Sequence, residues 1–253
     1  MGREVWIYRI DTTAANKNLP EILTDQSRYS HSFEDFVTER CNNFGEQYDL
    51  TYSGLLEKIS KEVGEITPKE LFEITFWFTE VAALDTRDED FIQKTGIELL
   101  YESSTKSEAN GVMLMYYSYL DLFEKDAGHR LQTETGVRTS TTDFQGFLDY
   151  FIAFLDGVKA LNLNNEIVED VYPRVTKAAI DQVLSERKSD QVFTTILKKE
   201  LTKFRELFSN HDNHGAFPEF DLIPRNTDLM LKALEMRRKV SKPESIVIIL
   251  DSV

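Results

Sequence analysis

The sequence predicts a mainly α protein: a single-domain multi-helix bundle or array over residues 1–253, closed by a minor two-stranded β-ribbon of its N- and C-terminal strands. Three observations predict it. Through most of the chain apolar residues recur at helical spacing, with Asp, Ser, Thr or Asn in capping positions ahead of each run. The two ends instead carry β-branched runs, EVWIYRI at 4–10 and SIVIILDS at 245–252, both too short for helices. Glycine and proline are scarce, 11 and 6 residues, while 41% of the chain is hydrophobic, which is enough to build a substantial core.

The elements follow in order. A lone terminal strand cannot satisfy its backbone groups, so strands 4–10 and 245–250 are expected to pair with each other. Ser32 with Asp35 opens a helix to about Asn43, and TYSGLLEKISKEVG at 51–64 supplies the next, stopped by Gly64. TPKE at 67–70 is a capping box with proline at the first helical position, the start of a helix running to Leu84. Six more helices are expected at about 88–103, 107–126, 142–162, 165–186, 190–209 and 227–239. GHRLQTETGVRTSTT at 128–142 reads as a polar loop, and 210–226 as an irregular segment holding two prolines. No helical repeat period is present, so a regular solenoid is not expected.

Charge and composition exclude several classes. The formal net charge of −15 argues against nucleic-acid binding, whose phosphate term needs Lys and Arg. Residues 186–243 run against that trend, with twelve Lys/Arg against nine Asp/Glu and hence a net of +3, concentrated in LKKELTKFR and MRRKVSK. Such runs read as solvated helix faces and helix C-terminal charges, the alternative being an acidic or nucleic-acid partner. The single cysteine, Cys41, permits no intramolecular disulfide and no multi-cysteine zinc site, which suits a reducing, cytoplasmic setting. No window approaches the roughly 18 apolar residues of a membrane span, and MGREVWIYRIDTT, with two early charges and a short apolar run, does not read as a secretory signal.

Four groups of residues invite a chemical reading. In FLDYFIAFLDG the angular positions place Asp149 and Asp156 together on the side opposite Phe144, Phe147, Phe151 and Phe154. The pair is therefore expected on an exposed face, with small residues beside it that would let a partner approach. Along TPKELFEITFWFTEVAAL, Glu73 and Glu80 share one narrow polar stripe of a helix otherwise apolar nearly all round. Such glutamates either line a cleft, where desolvation suits a general acid, or pair with a neighbouring Lys or Arg or face water.

In VMLMYYSYLDLF, Tyr116 and Tyr119 lie on one stripe and offer rings and hydroxyls to a cavity or, more plainly, to the core. NHDNHG crowds His211, Asp212 and His214 after a helix, a metal-ligand composition that also suits a helix C-terminus and turn. Glycine-rich phosphate loops, GxSxG elbows and HExxH motifs are absent. The expectation is a non-catalytic acidic helical protein, without a cofactor, that binds and inhibits or neutralises another protein through that partner's basic surface. The alternative is an enzyme or small-ligand binder with a pocket between helices 67–84 and 107–126.

Overall fold

The two β-branched ends do become neighbours, but within a four-stranded sheet rather than a ribbon. The computed structural model describes residues 4–25, 29, 31–45, 48–124, 136–161, 174–209, 226–240 and 244–252. Among them ten α-helices and four strands run in the order β1 (Glu4–Asp11), α1 (Thr12–Thr24), α2 (Phe33–Phe44), α3 (Tyr52–Glu62), α4 (Pro68–Phe76), α5 (Glu89–Thr95), β2 (Ile97–Glu102), α6 (Lys106–Leu122), β3 (Gly136–Ser140), α7 (Thr141–Ala160), α8 (Arg174–Arg187), α9 (Gln191–Ser209), α10 (Asn226–Val240) and β4 (Ser245–Ser252). The class is mainly α, with a small sheet of strand order β2-β1-β4-β3.

Two compact units alternate along the chain. One, the sheet unit, takes residues 5–102, 129–141 and 242–253; the other, the helical unit, takes residues 1–4, 103–128 and 142–241.

In the sheet unit β1 and β4 are the inner strands. The end of β1 meets the start of β4, where Thr12 donates its backbone N–H to the Glu244 carbonyl at 3.0 Å. β2 adds antiparallel to β1, with a bulge between Ile7 and Tyr8, and β3 adds antiparallel to β4 with Gly136 opposite Leu250. One face, carrying Tyr8, Ile10, Ile97, Ile248 and Leu250, joins the apolar sides of α1 to α5 in a single core.

Both added strands correct the sequence expectation. The expected helix 88–103 ends at Thr95, because Gly96 adopts φ 71°, caps α5 by donating to the Ile92 carbonyl, and turns the chain into β2. A Cβ on Gly96 would stand 2.8 Å from the Asp11 carbonyl and the Ala15 nitrogen, so the close crossing also requires glycine. The expected loop 128–142 contains β3, where VRTS alternates too briefly to be recognised without its partner strand. α1 lies outside the expected helices; although Pro20 sits inside it, its Asp11 cap and the buried Ala15, Leu19 and Leu23 at helical spacing hold it.

Elsewhere the capping signals fall where expected: Ser32 on α2, Thr51 on α3, and the reciprocal Thr67–Glu70 box on α4. α4 does not run regularly to Leu84. From Trp77 to Val81 it widens into a π-helical turn that ends near Ala83, at φ 52°. In the helical unit α6 ends at Leu122 rather than Asp126, and α8 is described from Arg174. No helix of the described residues is long and apolar enough to cross a membrane.

Candidate functional site

In the sheet unit, α2 and α4 bring an arginine into a box of aromatic rings. Phe36, Arg40 and Phe44 follow each other at four-residue intervals and therefore form one stripe of α2, while Phe72 and Phe76 form a stripe of α4. The stripes meet: the Phe36 and Phe76 ring centres are 6.0 Å apart, and Phe72 and Phe76 stack at 5.9 Å. Arg40 lies between them, its guanidinium carbon 4.8 Å from the Phe44 ring centre, 5.5 Å from Phe76, 5.7 Å from Phe36 and 5.8 Å from Tyr48.

Glu73 fixes that arginine. Arg40 donates from Nε to Oε2 at 2.9 Å and from Nη2 to Oε1 at 2.6 Å, a two-point pair on a carboxylate that is only 3% exposed. Burial alone would lower the pKa of Arg40, yet the Glu73 hydrogen bonds outweigh it and hold the guanidinium above its usual value. Beside the pair, the Tyr48 hydroxyl is buried with no hydrogen-bond partner within bonding geometry among the described residues, and Lys69 bridges to Asp49 at 2.5 Å.

Glu73 and Glu80 therefore do not share a polar stripe. Glu73 turns inward to Arg40, whereas Glu80 is exposed. The π-helical turn between them explains the separation, since each of its residues advances less around the axis and throws the seven-residue phase off. With both Glu73 oxygens engaged by Arg40, the pairing half of the sequence expectation describes this glutamate. Sequence reasoning missed Arg40 and Phe44; the usable signal was the aromatic stripe at 36, 40 and 44 with an arginine in its middle.

The aspartates of α7, in the helical unit, are the larger correction. Asp149 is 1% exposed rather than on a wet face, and Asp156 is half-buried. Asp149 accepts from Arg187 of α8 at 2.8 and 2.7 Å and from Arg237 of α10 at 2.5 Å; Arg237 also donates to Glu186 at 2.5 Å. α7 is buried from Phe144 through Leu155 apart from Gln145 and Gly146, so its polar side faces other helices instead of water. The small residues do admit a neighbour, but it belongs to the chain. Leu201 of α9 occupies the space a Cβ on Gly157 would take, and the Tyr119 hydroxyl does the same at Gly146. Lys232 of α10 likewise reaches the buried Glu108 at 3.0 Å.

Tyr116 and Tyr119 lie in an aromatic core shared by α6, α7 and α9. Tyr116 meets Phe147 edge to face at 5.1 Å, Tyr119 contacts Phe123 at 4.9 Å, and Phe123 contacts Phe193 at 5.9 Å. Glu73 and Glu80 belong to the sheet unit and the two tyrosines to the helical unit. His211, Asp212 and His214 lie outside the described residues; among the described residues no group of three or more His, Cys, Asp or Glu side chains is placed to hold a metal ion.

Buried tyrosines make the fold sensitive to alkali. Burial pushes the Tyr8 phenol up to about 12, and burial also raises Tyr48 and Tyr119 above their ordinary value. The folded state thus keeps protons that the unfolded state releases above about pH 10, so stability is full below that pH and falls as the pH climbs toward 12. Absorbance titration of the phenolates should find these three, together with Tyr52, which burial also raises, ionising late among the chain's 10 tyrosines, with the loss of helical circular dichroism. Ten phenols titrating normally in a folded chain would contradict the packing.

No protein-family model matches the chain, and no curated protein or solved structure resembles it significantly.

Proposed function

We propose that the chain is a non-catalytic, acidic helical protein that binds another protein through that partner's basic surface and so neutralises it, and that the sheet unit is the binding side. The observation that carries this reading is the partition of charge. The sheet unit holds twenty-three Asp/Glu against twelve Lys/Arg, a net of −11, whereas the helical unit holds twenty-one against seventeen, a net of −4. Two buried carboxylates in the sheet unit are paired inside it, Glu73 with Arg40 and Glu98 with Arg9 at 2.5 Å, and exposed acids such as Glu21, Glu39, Glu57, Glu80 and Asp90 carry much of the surplus to the surface. A field of one sign over one unit steers and accelerates encounter with a basic surface. The lone Cys41, whose thiol meets the Leu50 carbonyl at 3.3 Å, suits action in the reducing cytoplasm.

The test is affinity capture from a lysate of the native source, followed by reconstitution with the recovered partner. Reversing the exposed Glu21, Glu57 and Asp90 to lysine should leave helicity unchanged and slow association about tenfold, with a flatter salt dependence. An association rate indifferent to both salt and these substitutions would refute electrostatic recognition.

A further inference from the structure

We propose that the partner seats on the aromatic patch around Arg40, and that the seated element is a protein segment presenting a Lys or Arg beside an aromatic or aliphatic side chain. This rests on the binding function proposed above and gives that binding a place and a chemistry.

Phe44 is 49% exposed, one of few large apolar side chains at the surface among the described residues, and Phe72 and Phe76 are half-buried beside it. Arg40 lies 4.8 Å from the Phe44 ring centre and 5.5 Å from that of Phe76, so the guanidinium joins the two rings. Aromatic and arginine side chains are the groups that anchor protein interfaces. Here the arginine is already locked by two hydrogen bonds to Glu73, so docking onto it orders little that is not ordered beforehand. The adjoining π-helical turn, Trp77–Val81, is a rare geometry that recurs at functional sites, and it carries Glu80 out to the exposed side.

Charge selects the occupant. At the patch Arg40 is offset by Glu73 and Lys69 by Asp49, while the exposed Glu80, a turn beyond Phe76, and Glu39, on α2 beside Arg40 and 3.7 Å from the His31 imidazole, put carboxylates on its flanks. A cation reaching those carboxylates while its neighbour stacks on Phe44 satisfies both features. An acidic segment meets repulsion here and in the wider −11 field of the unit.

A random peptide library displayed on phage, panned on the immobilised full-length protein, is the probe. Enriched peptides should place Lys or Arg next to an aromatic or aliphatic residue. By calorimetry, synthetic copies should bind about tenfold or more weakly to Phe44→Ala and to the Glu39→Lys/Glu80→Lys double variant. Both changes lie at exposed side chains, and unchanged thermal melts verify the fold. Basic peptides that bind both variants normally but lose affinity on reversal of Glu21, Glu57 and Asp90 would overturn the patch and leave the binding function standing. Absence of any salt-sensitive basic peptide would overturn both. A homodimer in sedimentation that Phe44→Ala dissolves would assign the patch to a second copy of the chain and overturn the basic occupant.

Discussion

Replacing Asp149 with lysine is expected to unfold the helical unit, and even Asp149→Ala should cost about 3 kcal/mol. The carboxylate is 1% exposed and is the common acceptor for Arg187 of α8 and Arg237 of α10. Its removal leaves two neighbouring guanidinium groups without the bonds they made to it, Arg237 keeping only its bond to Glu186. Arg187 is about a third exposed and can turn toward water, which places the cost of the alanine change at the low end of the range for a broken buried pair. Lysine adds a third positive charge at a site with no room for it. Thermal or urea unfolding followed by circular dichroism measures both variants. Asp156→Lys, at a half-buried position seven residues on, is the control and should melt close to the parent protein. An Asp149→Lys chain as stable as the parent would show that the arginine cluster does not hold these helices.

Gly136→Ala should detach β3 and destabilise the sheet unit by about 3 kcal/mol, from a strained backbone together with a close contact. Gly136 opens β3 at φ 147°, where side chains other than hydrogen are rarely tolerated. A Cβ built there lies 2.0 Å from the carbonyl oxygen of Ile249 on β4, a backbone atom that cannot step aside without breaking the ladder. Hydrogen exchange should localise the effect: the amides of Val137, Thr139, Val247 and Ile249 lose protection, while those of α7 in the helical unit retain theirs. Retention of full protection in β3 would refute the register of Gly136 opposite Leu250.

Much of the local structure was legible in the sequence because its causes are local. Ser32, Thr51 and the Thr67–Glu70 box each make their cap through a residue three positions away, so the signal and its effect lie within one turn. The terminal strands were legible from their β-branched runs. β2 and β3 were not, since IELLYE and GVRTS become strands through hydrogen bonds to β1 and β4 from distant parts of the chain. The Gly96 stop was visible as a glycine, but its meaning came from the crossing against Asp11 and Ala15.

The candidate residues divide in the same way. Helical periodicity put Phe144, Phe147, Phe151 and Phe154 on one face of α7 and Asp149 on another, and both placements around the axis are sound. What lies against the second face is a different question, and α8 and α10 supplied arginines where water was expected. Glu73 and Arg40 are 33 residues apart and nothing local links them. The sequence by itself therefore determined the mainly α class, most helix starts and an acidic net charge, all of which depend on residues acting within a turn or summed over the chain. Tertiary structure alone decided which carboxylates are buried, which arginines hold them and which phenylalanines stay at the surface, because burial and ion pairing are set by whatever segment packs opposite.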